Sequence, residues 1–295
     1  MNSIVNGKGI RLLRQMVFLA AAVTSALGAD VVESARNYAS GDWQDERIWS
    51  TSPDIPGIDD NDLRVDIVGA SEIRIDKQTP AIKIRSGKTT GEASLIVGHD
   101  YTGGARLVVD GGQVEGTELL KVGNLGDASL RMEGGTMRFD RLTLGNGVEG
   151  TNGTFLMEGG SAEFAVNAKL LNDSLLEYRG GQLSFGGSLL PGTGTLRVAG
   201  IGGFPYPIRF GGNLNPGAIR LELSLDDEAR RQLRPGDALV LIEYGGILVS
   251  DFLDAAGKPI RDGDRLEIEG TAFTMEYVDS APGGRRSISL RALRE

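Results

Sequence analysis

Three acidic residues stand immediately before Gly-Gly pairs in the middle of the chain, namely Asp110, Glu133 and Glu158. If these segments stack in register, their carboxylates form a row with about 4.8 Å between neighbours. Paired carboxylates about 5–9.5 Å apart carry out glycoside hydrolysis, and close carboxylates can share a proton or a metal ion. Strand alternation, however, already requires polar residues outside, and Arg131 and Arg179 nearby would offset the charge. We therefore interpret the row as a solvated surface and predict no catalytic residue.

Metal-binding and nucleophilic chemistry is restricted because the chain has one histidine, His99, and no cysteine. A cysteine–histidine pair and the usual transition-metal sites are excluded, and a serine triad could use only His99. Later copies of the segment that His99 ends carry Asn instead, which favours a turn residue. The run Asp59–Asp62 offers oxygen ligands for Ca²⁺ but lacks the spacing and distal glutamate of a calcium loop. We predict a solvated turn there, and no metal or cofactor.

The only two tryptophans, Trp43 and Trp49, lie six residues apart near the start of the chain. At a surface they could form a platform on which sugar rings stack. Large aromatic side chains more often serve packing, because each buries a large apolar area. We therefore predict that both plug the N-terminal end of the core.

Four of the Gly-Gly pairs recur with a period in the low twenties. Their first glycines are Gly111, Gly134, Gly159 and Gly180, which lie 23, 25 and 21 residues apart. A second motif recurs with a similar period, at Val97-Gly98-His99, Val122-Gly123-Asn124 and Leu144-Gly145-Asn146. A fourth, less similar copy is Leu170-Leu171-Asn172. Such recurrence indicates repeats that bury a core only by stacking. Gly-Gly would supply a sharp corner where φ is positive or a side chain would clash.

Short stretches of each repeat alternate between apolar and polar residues, as in Ser129-Leu130-Arg131-Met132. This period of two is typical of strands with one buried face. We predict an all-β fold, namely a right-handed parallel β-helix (β-solenoid) with repeats of about 21–26 residues. The structural alternative is a β-propeller, although its blades need about 40 residues each.

The repeats divide the chain into four segments. We assign residues 1–29 to a signal peptide, 30–92 to an N-terminal cap and first strands, 93–190 to the solenoid repeats, and 191–295 to a C-terminal β-rich closing module. The period is lost after Pro191, and Asp226–Leu233 is a short helical candidate. We expect both flanks to protect the terminal coils from pairing with other molecules.

The first residues have the layout of a secretory signal peptide. Lys8, Arg11 and Arg14 give a positive start, Met16–Val23 is a short apolar run, and small residues up to Ala29 allow cleavage. The apolar run is shorter than the roughly 20 residues of a spanning helix, which disfavours an anchor. We predict a secreted or cell-surface protein, with the periplasm as the alternative, and no transmembrane segment in the mature chain.

The formal net charge is −9, from 31 Lys and Arg against 40 Asp and Glu. Proteins bind nucleic acid through basic faces, so we predict no nucleic-acid partner. The same excess of negative charge disfavours an acidic polysaccharide unless a metal ion intervenes.

The C-terminal segment carries an ordered set of motifs. Gly236–Gly245 is an apolar run that ends in Tyr-Gly, and Asp251-Phe252, Phe273–Tyr277 and Ile288–Leu290 follow it. Together with the tryptophan-containing start and the Gly-Gly coils, this order resembles bacterial exported proteins with autotransporter-associated β-strand repeats. The resemblance implies a passenger-like β-helix at the cell surface, without a translocator barrel.

These features lead us to expect a structural, adhesive or glycan-binding role without evident catalysis. The candidate partners are extracellular polysaccharide and envelope components. The alternative is a polysaccharide lyase or glycoside hydrolase on a β-helix scaffold, which is an inference from fold alone. Such an enzyme would need a long loop with Asp, Lys or Arg over one face, whereas these repeats are short.

Overall fold

The computed structural model describes residues 34–56, 58, 64–84, 94–201, 206–225, 227–278 and 286–293. The predicted signal peptide, residues 1–29, and the acidic run Asp59–Asp62 lie outside these residues. Strands dominate the described chain, which confirms the all-β prediction. Its helical elements are a 3₁₀ turn, Glu46–Ile48, and the helix α1, Asp227–Gln232, inside the segment predicted as helical. None of the helices in these ranges has the length and apolar character needed to cross a membrane.

The strands are short, apart from two that bend through a corner. In chain order they are β1 (Ser34–Arg36), β2 (Gly41–Asp42), β3 (Arg64–Ile67), β4 (Glu72–Ile75), β5 (Ile82–Ile84), β6 (Ser94–Val97), β7 (Ala105–Gly116), β8 (Leu119–Val122), β9 (Ala128–Leu144), β10 (Gly153–Met157), β11 (Ser161–Leu170), β12 (Leu175–Tyr178), β13 (Gln182–Phe185), β14 (Thr195–Ile201), β15 (Ile208–Phe210), β16 (Arg220–Leu225), β17 (Ala238–Tyr244), β18 (Arg265–Ile268), β19 (Thr271–Val278) and β20 (Arg286–Ala292).

Parallel pairing arranges these strands in three ladders, which we call faces A, B and C. Face A contains β1, β3, β6, β8 and the C-terminal ends of β9 and β11. Face B contains β2, β4, the starts of β7 and β9, then β10, β12, β14 and β16. Face C contains β5, the end of β7, the middle of β9, the start of β11, then β13, β15 and β17. The chain visits A, B and C in turn, so the ladders form a solenoid-like stack.

The parallel pairing extends past residue 190, where the sequence period is no longer visible. Face A continues there as isolated parallel bridges, which we call rungs, at Leu189, Leu214 and Leu248. The two intervals between these rungs are 25 and 34 residues. The longer interval contains α1, so an inserted helix lengthens one coil while the ladder continues.

The C-terminal end of the stack is closed by antiparallel strands. β20 pairs antiparallel with β17, β19 with β20, and β18 with β19. Phe252 and Ile260, from the segment between β17 and β18, are buried against the core. The closing module therefore continues face C and covers the end of the apolar column.

Inward-facing side chains of the three faces form one continuous core. On face C, Phe164, Phe185 and Phe210 come from successive coils and their rings stack. The ring centroids are 5.1 Å apart between Phe164 and Phe185, and 4.7 Å apart between Phe185 and Phe210. The planes are within 15° and 9° of parallel, so the parallel register places equivalent rings one above the other.

Replacing Phe185 by leucine is expected to lower the free energy of unfolding by about 1–2 kcal/mol, because the variant loses two aromatic contacts as well as volume. The measurement is urea unfolding followed by circular dichroism. Phe155→Leu is the matched control, since Phe155 is equally buried on face B and has no ring partner in the described chain. Equal losses of unfolding free energy in the two variants would mean that ring stacking at Phe185 does not contribute to stability.

The repeated Gly-Gly pairs form the corner between faces B and C, as predicted. The second glycine of each pair, at positions 112, 135, 160 and 181, has a positive φ between 70° and 86°. At Gly135 an added Cβ would lie 2.5 Å from the carbonyl oxygen of Gly111 in the preceding coil. Glycine is therefore required both by the backbone conformation and by the close approach of the coils.

Candidate functional site

The two tryptophans are inside the protein and do not form a sugar platform. Trp43 and Trp49 are 0% and 1% exposed, with ring centroids 4.8 Å apart. The Trp43 indole N–H donates to the carbonyl of Pro56 at 2.9 Å, and that of Trp49 donates to the carbonyl of Trp43 at 2.8 Å. Both rings thus plug the N-terminal end of the core with their polar atoms satisfied.

The acidic row is held by arginines. Arg131 Nε lies 3.0 Å from Glu133 and 2.8 Å from Glu158, and Arg179 also contacts Glu158, at 3.4 Å. Both glutamates of the row are thus engaged in ion pairs with guanidinium groups. Asp110 pairs in register with Gly134, next to Glu133. Across the described ranges, no three His, Asp or Glu side chains converge where a metal ion could bind.

His99 lies in the ladder of turns between faces A and B. Its Nδ1 lies 2.5 Å from the side-chain amide nitrogen of Asn124, the equivalent residue one coil later. Partial burial is the main cause that lowers the pKa of His99 below its ordinary value of 6.5. Three nearby cations act in the same direction and one carboxylate opposes them; these are Arg64, Arg36, Lys121 and Asp66. The contact between His99 and its counterpart Asn124 is the one that a residue in a ladder of turns would make.

Acidification is expected to destabilise the protein partly through His99. Because its folded pKa is depressed, the unfolded state binds the proton more readily, so stability falls as pH drops below about 6.5. Unfolding by urea at pH 7.5 and 5.5 should give a smaller loss for His99→Asn than for the wild type. Carboxylates titrate in both proteins, so the difference between their two stability losses reports the contribution of the His99 imidazole. Identical losses would contradict a role for its titration.

Charges on the outer sides of faces B and C are paired across coils. On face B the Arg131–Glu158–Arg179 contacts continue through Glu177 and Arg197 to Glu222. The side chain of Glu177 is only 8% exposed and lies between two guanidinium groups, 2.6 Å and 3.2 Å away. On face C two ion pairs link neighbouring strands; they are Arg138–Glu163 at 3.7 Å and Arg209–Glu243 at 3.1 Å. These two faces therefore present largely compensated charge.

Face A differs in its central coils. Lys121 and Lys169 flank Thr143 on adjacent strands, while Arg141 and Asn167 pair with each other two residues along the same strands. We call these five residues the basic patch. All five are partly exposed, and strand spacing places the two lysines about 10 Å apart along the stack.

The strand segments that carry the basic patch have no acidic residue of their own. Arg141 and Lys169 make no ion pair with any part of the chain that the structure describes, and Lys121 donates to the amide oxygen of Asn146 at 2.8 Å. The strand segments 119–122, 141–144 and 167–170 contain no Asp or Glu. Asp140 lies at the corner with face C, beside Glu115 and Arg138.

Near the start of face A, one carboxylate does point to the outer side. Asp66 is fully buried and pairs with Arg64 at 2.9 Å, while its other oxygen has no hydrogen-bond partner. Charge is therefore compensated within the described start of face A.

The basic patch has the chemistry to hold an extended anion. Ammonium and guanidinium groups make charge-assisted hydrogen bonds to carboxylate or sulfate oxygens. The Thr143 hydroxyl and Asn167 amide can both donate and accept, as binding of sugar hydroxyls requires. A polymer running along the stack would meet Lys121 and Lys169 in succession.

Comparison with known protein families, with curated proteins and with solved structures finds no match to this chain.

Proposed function

We propose that this protein is an exported, right-handed parallel β-helix that binds extracellular acidic polysaccharide on face A without cleaving it. The observation that carries the proposal is the basic patch, where Lys121, Arg141 and Lys169 are grouped by the strand register on three adjacent strand segments whose own sequences contain no Asp or Glu. On faces B and C most of the described arginines are held in ion pairs with carboxylates, which leaves less positive charge available to an anion.

The architecture and the location are supported separately. Crossover connections between parallel strands of one sheet are right-handed in nearly all proteins, which favours the right hand for these coils. Export is supported by the positive start and short apolar run of residues 1–29. An extracellular location would bring the basic patch into contact with polysaccharide.

The test is retention of the purified protein on immobilised polysaccharides. Polygalacturonate, alginate and a sulfated dextran are compared with neutral dextran and xylan, at low and high salt, and released sugar ends are measured in the same samples. We expect retention on the acidic polymers alone, weakened by salt because the contacts are ionic, and no released ends.

Two outcomes would overturn the proposal. Equal retention on neutral and acidic polymers would remove the role of charge. Release of new ends would make the protein a polysaccharide-cleaving enzyme, and the row Asp110, Glu133 and Glu158 would be the first place to mutate.

A further inference from the structure

The two most exposed large hydrophobic side chains of the described chain are both tyrosines. Tyr101 is 86% exposed and Tyr38 is 73% exposed. Neither hydroxyl group donates or accepts a hydrogen bond within the ranges that the structure describes. Each ring therefore keeps an apolar face that a ligand can contact.

Both tyrosines belong to the ladder of turns between faces A and B. Tyr38 follows β1 and Tyr101 follows β6, and β3 lies between these two strands on face A. Two strand spacings separate the tyrosine positions by about 10 Å along the stack. The turn after β3 lies between them and contains the small residues Gly69 and Ala70. An added Cβ at Gly69 would meet nothing within 4 Å, so the space above this turn is open.

Polar side chains hold both tyrosine-bearing turns against this middle turn. Asn37, which is 2% exposed and directly precedes the first tyrosine, accepts a hydrogen bond from the Val68 N–H at 2.7 Å. Asp100, which directly precedes the second tyrosine, accepts one from the Gly69 N–H at 2.8 Å. The backbone positions of the two tyrosines are therefore set before any ligand binds, which lowers the entropy cost of binding.

This corner of the stack adjoins the basic patch. The Lys121 ammonium group donates to the Asn146 amide oxygen at 2.8 Å, and Asn146 belongs to the same ladder of turns. His99, two residues before Tyr101, lies close enough to Lys121 for the ammonium charge to act on its ring. A polymer that contacts Lys169 and then Lys121, and continues towards the N-terminal end of the stack, would next meet the two tyrosines.

We infer that Tyr38 and Tyr101 form a stacking subsite for the acidic polymer, and that this subsite favours β-1,4-linked uronate chains. The inference rests on the proposed function and deepens it. A pyranose ring carries C–H groups that pack on the face of an aromatic ring. In an extended β-1,4-linked chain every second sugar presents the same face, and this repeat matches the separation of about 10 Å between the tyrosine positions. An α-1,4-linked galacturonate chain winds instead, so its alternate sugars face different directions.

Two labelled uronate oligomers of equal length and charge test this inference. One is β-1,4-linked mannuronate, the other is α-1,4-linked galacturonate, and fluorescence anisotropy gives the Kd of each. We expect the wild type to bind the β-linked oligomer about tenfold more tightly, because only that chain gains the ring contacts. Replacing Tyr38 and Tyr101 together by alanine should abolish this preference and leave the Kd of the α-linked oligomer unchanged. Replacing both by phenylalanine should keep the preference, because the ring and not the hydroxyl makes the contact.

Tyr206→Ala is the control, since Tyr206 is 40% exposed and lies just before β15 on face C. It should keep the preference, and circular dichroism should show the wild-type fold in every variant, because the replaced rings are exposed. Equal affinity of the wild type for the two oligomers, or a preference that survives in the double alanine variant, would overturn the inference and leave the proposed function intact. Failure of the wild type to bind either oligomer would overturn the proposed function, and the inference with it.

Discussion

Replacing Gly135 by alanine is expected to lower the free energy of unfolding by about 2–5 kcal/mol. Two costs add at this position. Its φ of 73° is a left-handed conformation that disfavours any side chain, at about 1–2 kcal/mol. The new Cβ would also lie 2.5 Å from the Gly111 carbonyl oxygen, which is backbone of the preceding coil. The coils would have to separate locally, at the cost of hydrogen bonds and core contacts.

Gly147→Ala is the matched control for this prediction. Gly147 has nearly the same φ, 76°, but an added Cβ meets nothing within 4 Å. Its loss should therefore be the conformational cost alone, about 1–2 kcal/mol. Urea unfolding of both variants measures the difference, which reports the close approach of stacked coils. Equal losses would mean that the coils do not stack as closely at this corner as described.

The second large effect is expected on binding. Changing Lys121, Arg141 and Lys169 together to glutamine should weaken binding to an acidic polysaccharide by roughly a hundredfold, since each contact contributes about 1 kcal/mol. Glutamine keeps a polar side chain at each outward position, so the fold should be retained. Fluorescence anisotropy with a labelled uronic-acid oligosaccharide measures the change in Kd, and circular dichroism checks the fold.

A variant with the same loss of charge on the other faces distinguishes a local site from general electrostatics. Arg74, Arg138 and Arg209 are each paired with a carboxylate, at 3.2, 3.7 and 3.1 Å respectively. Their combined change to glutamine removes three positive charges from faces B and C. We expect binding within about threefold of wild type, because long-range contributions are screened at physiological salt. Equal weakening by both triple variants would argue against the basic patch.

The central part of the fold follows directly from local sequence signals. Gly-Gly at a regular period predicted the corner, and Gly135 has the positive φ that this role requires. The coils after residue 190 were missed because their marker changes. From Phe185 onward an aromatic residue precedes Gly-Gly, as in Phe185-Gly186-Gly187 and Phe210-Gly211-Gly212, and the pair lies at the corner between faces C and A. The spacing of 25 residues between these copies was a usable signal.

The basic patch could not be found in the same way. Alternation predicts that Lys121, Arg141 and Lys169 point outward, but not that they share a face. The corresponding rungs are 22 and 26 residues apart, because the turns between faces differ in length. Only the register reveals which outward residues are neighbours, and the net charge of −9 pointed away from an anionic ligand. The net charge is a sum over the whole chain, whereas binding of an anion depends on the charged residues of the face that it contacts.

The most direct test of the proposed binding surface is an amine-labelling footprint. The purified protein is acetylated with and without a saturating polyuronate, and the rate at each lysine is measured by mass spectrometry. We predict that Lys121 and Lys169 are protected while the exposed Lys77 and Lys258, on turns away from the basic patch, react at unchanged rates. Protection of all four lysines alike, or reaction of Lys121 and Lys169 at their free rates with polymer bound, would contradict binding on face A.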